Sequence, residues 1–218
     1  MVLVQKELQA AYIGEYWWKP WVNTILYYPL HDSLTDVVWN YPRQSWAATY
    51  SNNMATITTQ LKRNSSRFAN NTWNYTISAY VKMTTSPNYC WVFFKTDWSY
   101  SSSLAISSYY TGGNSSSNIG AGVSYYSSWW NYKASVGSNW GVYCVVGVKS
   151  WTTMTVYVNW ASIWTLNAPN YPGYSWGSWD GMSIPAWVIC ADVLVESVTR
   201  TAQEVADYYN QTKWTYWL

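Results

Sequence analysis

Residues 141–160 read GVYCVVGVKSWTTMTVYVNW, and this stretch decides the fold. From Gly141 to Lys149 and again from Thr153 to Asn159, apolar and polar residues follow the two-residue period of a β-strand. Serine, tryptophan and threonine interrupt the pattern between the two runs. The stretch therefore predicts two neighbouring strands joined by a short turn.

The same alternation of strand and turn recurs from Asn23 onward. Ser99 to Ser138 is rich in Ser, Tyr, Asn and Gly, but apolar residues still punctuate it, which predicts strands with long polar loops. Many short strands without intervening helices predict a two-sheet sandwich or a barrel. The other predicted strands are Thr24–Leu30, Ala55–Leu61, Tyr75–Met83, Tyr89–Lys95 and Trp187–Glu196.

One helix is predicted near the end of the chain. Thr201-Ala202-Gln203-Glu204 is a capping box, in which the Thr hydroxyl and the Glu carboxylate accept hydrogen bonds from free backbone N–H groups. Val205, Tyr208 and Tyr209 then fall on one helical face. We predict a helix over about 202–213 that packs against a sheet.

The charge and composition of the chain limit the kinds of partner that it is expected to bind. Only 10% of the residues are charged, and 12 Lys and Arg against 10 Asp and Glu give a net charge of +2 without a basic run. A nucleic-acid binder needs a basic surface, so nucleic acid is an unfavoured partner. The longest apolar stretches are too short to span a membrane, and residues 1–8 do not resemble a secretion signal.

The chain divides into two parts. Residues 1–22 are aromatic and end near Pro20, which is typical of an edge strand or of an arm that docks on a neighbouring subunit. Residues 23–218 form the predicted β domain.

Few residues are suited to catalysis or to metal binding. His31 is the single histidine, and no two carboxylates alternate along one strand as a glycosidase would need. We therefore expect no enzyme activity. Calcium remains possible only if Asp97, Asn170 and Asp180 converge. Cys90, Cys144 and Cys190 lie far apart among apolar residues, which favours buried thiols over disulfides.

Five segments, read in order, carry a resemblance to a known family, namely Asn23–Leu30, Trp140–Tyr143, Val156–Trp160, Ile189–Val195 and Thr201–Tyr209. Together they resemble the concanavalin A-like lectin/glucanase superfamily, and more narrowly its laminin-G-like jelly-roll modules. The resemblance implies a two-sheet antiparallel jelly-roll sandwich, frequent glycan binding and an occurrence in phage tail and virion proteins.

The chain departs from this family in its 19 tryptophans. Trp160 occupies the position at which such modules carry the glycine of an Asn-Gly turn, and Trp39, Trp46, Trp187 and Trp217 occupy similar positions. A UGA codon that specifies glycine in the host, but is translated as tryptophan, would produce this pattern. We hypothesise such UGA recoding at Trp160 and Trp217 first, whereas Trp140 falls in a core position.

Aromatic and amide-rich loops are the candidate ligand site. Sugars present an apolar face beside hydroxyl groups, and exposed rings beside amides complement both; the same rings suit a subunit interface. A third interpretation is that one ring of each pair packs in the core. The candidate residues are Tyr109, Tyr110, Tyr125, Tyr126, Trp129, Trp130 and Asn131.

These patterns favour a non-catalytic, structural, lectin-like protein that forms homo-oligomers and displays a carbohydrate-binding jelly roll. By the resemblance it would be a phage virion or tail component, located in a virion or an extracellular surface assembly. A stand-alone glycan-binding lectin is the alternative, and a glycoside hydrolase is less favoured.

Overall fold

The computed structural model describes the chain in part, and its strands form two antiparallel sheets. The described residues are 24–28, 47–59, 61–64, 74–82, 92–94, 103–107, 119–125, 128–136, 141–151, 153–167, 181–184, 186 and 188–216. The strands are β1 (Thr24–Tyr28), β2 (Ala48–Ser51), β3 (Met54–Ile57), β4 (Leu61–Asn64), β5 (Asn74–Lys82), β6 (Val92–Phe94), β7 (Ser103–Ser107), β8 (Ile119–Tyr125), β9 (Ser128–Val136), β10 (Val142–Ser150), β11 (Thr153–Val158), β12 (Ala161–Asn167), β13 (Gly181–Ile184) and β14 (Ile189–Glu196).

An eight-stranded sheet has the order β12-β11-β10-β5-β14-β3-β2, with β1 also paired to β14, and a six-stranded sheet has the order β4-β13-β6-β7-β8-β9.

The deciding stretch forms the predicted hairpin. β10 pairs with β11 from Val145↔Val158 to Ser150↔Thr153, and β10 pairs on its other side with β5 along its whole length. Its burial on both faces shows that it is a central strand. The prediction of an all-β sandwich is confirmed.

The predicted helix is also confirmed. Helix α1 spans Ala202–Thr212, the capping box between Thr201 and Glu204 is present, and a 3₁₀ turn over Lys213–Tyr216 continues it. Val205, Tyr208 and Tyr209 are its buried residues. Thus the face chosen from the sequence is the face that packs.

Both faces of the eight-stranded sheet are buried, and α1 packs on one of them. On the outer face, Tyr80, Cys144, Val146 and Val148 pack with the apolar residues of the helix and of the 3₁₀ turn. The inner face is as well buried, since Ile77, Ala79, Val145, Met154 and Val156 are each 0% exposed. In a two-sheet sandwich such an inner face is the one that packs on the second sheet, so both faces of this sheet contribute to the core.

One strand prediction is wrong in its extent. Ala55–Leu61 was predicted as a single strand, but β3 ends at Ile57 and β4 begins at Leu61 in the other sheet. The N–H groups of Thr58 and Thr59 both donate to the Ala47 carbonyl, at 2.8 and 3.2 Å. These bonds turn the chain out of the first sheet, and alternation of side chains does not reveal such a change of sheet.

Cys144 and Cys190 are buried, as predicted, and neither is in a disulfide within the described part of the chain. Burial raises the pKa of the Cys144 thiol well above its ordinary value, so the group stays protonated. Cys90, residues 1–22, His31 and Trp140 lie outside the described residues.

Candidate functional site

Four of the seven candidate ligand residues lie on one hairpin at the edge of the six-stranded sheet. Tyr125 ends β8, and Trp129, Trp130 and Asn131 occupy the first half of β9, which is the last strand of that sheet. Tyr109, Tyr110 and Tyr126 lie outside the described residues.

The structure corrects the expectation that Trp129 and Trp130 are loop residues. They belong to β9, which pairs with β8 at Tyr125↔Ser128 and at Val123↔Asn131. The pairing is irregular between Val123 and Tyr125, which indicates a bulge beside the turn. The aromatic residues are therefore carried by a paired backbone, and this fixes their spacing more tightly than a loop would.

A second group of aromatic and polar side chains, exposed or half-buried, lies where α1 ends. We call Asn53, Asn210, Lys213, Trp214 and Thr215 the C-terminal corner. The Lys213 ammonium lies 5.1 Å from the centre of the Trp214 ring, and it donates to Asn210 Oδ1 at 2.9 Å. Asn53 Nδ2 donates to the Thr215 carbonyl at 3.2 Å, which ties the β2–β3 turn to the 3₁₀ turn. Trp214 is 71% exposed.

A buried polar cluster anchors this corner to the sheet. Asp192 Oδ2 accepts from the Tyr216 hydroxyl at 2.6 Å, and Asp192 Oδ1 accepts from the Tyr27 hydroxyl at 2.9 Å. Tyr216 also stacks on Tyr80, with ring centres 4.0 Å apart. One carboxylate thereby joins β1, β14 and the 3₁₀ turn.

The Asp192 backbone explains why this carboxylate can serve both tyrosines. Asp192 has φ 46° and lies where the β14–β5 register shifts between Ala191 and Leu194. Its left-handed backbone is that of a bulge residue, a conformation that aspartate tolerates better than most residues. Burial, and then the Asp192 charge, raise the pKa of Tyr216 and of Tyr27 well above their ordinary value, so both hydroxyls remain donors. The one sign of this cluster in the sequence is an acidic residue inside an apolar strand.

The acidic residues that the structure describes all have structural partners. Glu196 is paired with Arg200 at 2.6 Å, and Arg200 also contacts Glu204 at 3.1 Å. Burial raises the pKa of Glu196 although Arg200 opposes the shift, whereas the Thr201 backbone N–H lowers the pKa of Glu204. The other two, Asp192 and Asp207, accept bonds from the tyrosines and from Gln203.

The turns show where the backbone requires the freedom of glycine. Trp151, between β10 and β11, has φ 51° and is 61% exposed. In the next turn the positive φ of 49° belongs to Asn159, and Trp160 is not among the described residues that have a positive φ. The expectation that Trp160 occupies the strained position is therefore wrong. Asn159 takes that position because its N–H donates to the Cys144 carbonyl and its Oδ1 accepts from the Cys144 N–H.

Within the described ranges, no group of three or more His, Cys, Asp and Glu side chains could hold a metal ion. Asp97, Asn170 and Asp180 lie outside those ranges, so the calcium site stays a prediction. No described helix is both long and apolar enough to cross a membrane.

Comparison by sequence finds no matching family model and no curated protein that is similar. Comparison by structure does find similar folds. The receptor-binding domain of the botulinum neurotoxin C/D mosaic serotype superposes with a TM-score of 0.65 at 12% identity, over 86% of this chain and 51% of that chain. Trypanosoma rangeli sialidase, solved with sialic acid, superposes with a TM-score of 0.65 at 13% identity, over 90% of this chain and 34% of that chain.

A third similar structure, with a TM-score of 0.64 and 10% identity, belongs to botulinum neurotoxin type C, whose cell entry depends on interaction with two ganglioside molecules. This chain spans about half of the neurotoxin chains and about a third of the sialidase. At such low identity the likeness shows the fold alone. That fold is an all-β sandwich of the kind found in these larger glycan-associated proteins.

Proposed function

We propose that this protein is a non-catalytic, lectin-like β-sandwich that binds glycans. The observation that carries the proposal is the fold, which is similar to parts of proteins whose structures concern ganglioside interaction and sialic acid. The resemblance of the sequence to laminin-G-like jelly-roll modules favours the same function.

The described acidic residues support binding without hydrolysis. A glycosidase needs one carboxyl group as an acid and a second as a nucleophile or base on opposite sides of the scissile bond. Glu196 and Glu204 instead share Arg200, and Asp192 is 6% exposed between two tyrosines. None of these three presents a carboxyl pair to a ligand.

We propose the β8–β9 hairpin as the main glycan site. Tyr125, Trp129, Trp130 and Asn131 lie within it, and the predicted residues Tyr109, Tyr110 and Tyr126 complete the set. An aromatic ring offers an apolar surface to a pyranose and an amide binds its hydroxyl groups, which is the combination a sugar site requires.

A glycan array tests this proposal. We expect the full chain to bind a restricted set of glycans, and we expect Trp129→Ala and Tyr125→Ala to weaken that binding at least about tenfold, as loss of a central aromatic contact does. Thr165→Ala is a control, since Thr165 is exposed on the edge strand of the other sheet. Binding that both variants retain in full would refute the hairpin site, and an array without any signal would refute the function.

A second function, self-assembly, is favoured by one edge of the eight-stranded sheet. Strand β2 ends that sheet, and Thr49, Tyr50 and Ser51 are exposed along it. Uncharged edge strands accept a further strand readily. We propose that the segment 1–22 of a neighbouring copy docks there, and that the resulting homo-oligomer belongs to a phage virion, a phage tail or another extracellular surface assembly.

The mass of the particle in solution tests assembly. We expect the full chain to elute as an oligomer and the chain without residues 1–22 to elute as a monomer, by size exclusion with light scattering. A monomer in both cases would refute the assembly role and leave the lectin function standing.

We also propose UGA recoding. The backbone conformation makes Trp151 the strongest candidate for a tryptophan that stands in place of a native glycine. A tryptophan at φ 51° is strained, whereas glycine is not, and this indole is largely exposed. Trp217 lies outside the described residues and stays a candidate. A UGA codon at position 151 of the coding DNA would support glycine as the native residue, and a UGG codon there would contradict it.

A further inference from the structure

We propose that the C-terminal corner is a second glycan subsite, in which one sugar ring stacks on Trp214 while its hydroxyl groups bond to Lys213, Asn53 and Asn210. This inference rests on the proposed glycan-binding function. The residues of the corner come from parts of the sequence other than the β8–β9 hairpin.

The first support is that Trp214 lies between segments whose side chains are buried. Trp214 is 71% exposed, but Tyr216, two residues later, is 4% exposed and is held by Asp192 and by the Tyr80 ring. Before it, the α1 helix is fixed by buried Tyr208 and Tyr209. A ring carried by a backbone that is fixed on both sides loses less conformational entropy on binding than a ring on a free segment does.

The second support is the set of polar groups around that ring. Lys213 lies over two rings, 5.4 Å from the centre of Tyr209 and 5.1 Å from that of Trp214. Its bond to Asn210 Oδ1 uses one of three N–H groups, and the Asn53 bond to Thr215 uses one amide N–H. Among the described residues, the remaining Lys213 N–H groups, Asn53 Oδ1 and Asn210 Nδ2 have no protein partner and can bond to hydroxyl groups.

The size and polarity of the corner favour a sugar over a protein partner. A stable protein interface buries on the order of 1,200 Å² or more around an apolar centre. Here the described residues around one indole are a lysine, two asparagines and a threonine, of which Asn53 and Asn210 are exposed. One aromatic face surrounded by hydrogen-bonding groups matches a single pyranose, which has an apolar face and a rim of hydroxyl groups.

Another exposed tryptophan provides a matched control. Trp160 is 58% exposed and lies in the turn between β11 and β12. Replacement of either indole by alanine removes a similar exposed surface, and substitutions at such exposed positions usually change stability very little. A difference in binding between the two variants therefore reports on the corner.

The test begins with a glycan array of the full chain, and the free oligosaccharide that gives the strongest signal is then titrated by calorimetry. We expect Trp214→Ala to raise the Kd at least about tenfold, and we expect Lys213→Gln to raise it by less. Trp214→Phe should restore part of the affinity, and Trp160→Ala should leave it unchanged. Melting temperatures of all variants should stay close to that of the parent chain.

Each outcome decides between the two sites. If the parent chain binds and Trp214→Ala binds equally well, the corner is refuted while glycan binding stands. If Trp129→Ala abolishes binding and Trp214→Ala does not weaken it, the hairpin alone is the site. If the parent chain binds no glycan on the array, the proposed function fails and the corner fails with it.

Discussion

At the scale of single residues, left-handed backbone positions carry much of the information about this protein. Asn52 and Asn53 have φ of 52° and 60° in the two-residue turn between β2 and β3, where asparagine is well tolerated. Asp192 uses the same conformation to place its carboxylate between two tyrosines. Trp151 has the same left-handed backbone conformation. Its bulky side chain is poorly suited to that conformation, in contrast to asparagine and aspartate.

Replacement of Trp151 by glycine should stabilise the protein. We expect Trp151→Gly to raise the free energy of unfolding by about 1 kcal/mol, because glycine adopts a φ of 51° without strain. Trp151→Ala is the control that removes the indole but keeps the Cβ atom, and it should gain less. Equal or lower stability of the glycine variant in urea unfolding would contradict the assignment of this turn.

Removal of two nearby hydroxyl groups of β5 should have different effects on the free energy of unfolding. The Ser78 hydroxyl is buried without a hydrogen-bond partner, whereas the Thr76 hydroxyl donates to the Val198 carbonyl and accepts from the Arg200 N–H. We expect Ser78→Ala to leave stability unchanged or higher, and Thr76→Val to cost about 1–3 kcal/mol because it leaves buried groups unpaired. Urea unfolding measures both, and a larger loss for Ser78→Ala than for Thr76→Val would contradict this description.

At the scale of elements, the sequence was informative wherever the signal is local. The capping box and the spacing of Val205, Tyr208 and Tyr209 predicted α1 to within one residue at its end. The central strands were also predicted, because alternation and β-branched residues persist over their whole length. The end of β3 depends on hydrogen bonds to Ala47, the bulge at Asp192 on pairing with β5, and the strand position of Trp129 on pairing with β8. The alternation of side chains within one segment does not contain these contacts between segments.

The capping box should make helix stability depend on pH. The pKa of Glu204 is lowered from its ordinary 4.5, first by the Thr201 N–H bond. The contribution of the Glu204 carboxylate to the free energy of unfolding is therefore fully present above pH 4.5, and it is lost as the pH falls through the folded-state pKa. We expect Glu204→Gln to cost about 1 kcal/mol at pH 7 and almost nothing at the acid end.

Urea unfolding of the parent chain and of Glu204→Gln between pH 3 and pH 7 measures this difference. Buried Glu196, whose pKa is raised first by burial, acts in the opposite direction in both proteins. Because the Glu204 charge also raises that pKa, Glu204→Gln weakens this opposing effect and does not leave it unchanged. Asp207→Asn is the control, because Asp207 lies exposed on the same helix and, among the described residues, accepts a hydrogen bond from Gln203 alone. A cost that stays constant with pH would contradict the role of the carboxylate.

At the scale of the whole molecule, one polar cluster joins the sheet, the first strand and the C-terminal segment. Tyr27, Tyr80, Tyr208 and Tyr216 surround Asp192 and Cys144, and the pKa of each tyrosine is raised, first by burial. The sequence predicted that Tyr208 is buried, but it contained no sign that Tyr27 and Tyr216 meet at Asp192, because their positions are separated by most of the chain. The candidate glycan site was predicted only as a set of residue types, and the structure places four of the seven on one hairpin.

The tyrosine cluster predicts cooperative unfolding in alkali. The unfolded chain releases tyrosine protons near pH 10.0, while the folded chain retains them because its pKa values are higher. Stability is therefore fully present below pH 10 and falls as the pH rises above it, by about 1.4 kcal/mol per pH unit for each such tyrosine. Urea unfolding between pH 9 and pH 11.5 should show this slope, and Tyr216→Phe should reduce it by about one proton. A stability that stays flat over this range would contradict the cluster.

The most direct test of the central claim combines binding with the fate of the ligand. The full chain is incubated with the glycans that it retains on an array, and the bound and free glycans are then analysed by mass spectrometry. The lectin-like function predicts that specific glycans are retained and recovered intact. Recovery of cleaved glycans would show a hydrolase, and the absence of any retained glycan would contradict the proposed function as a whole.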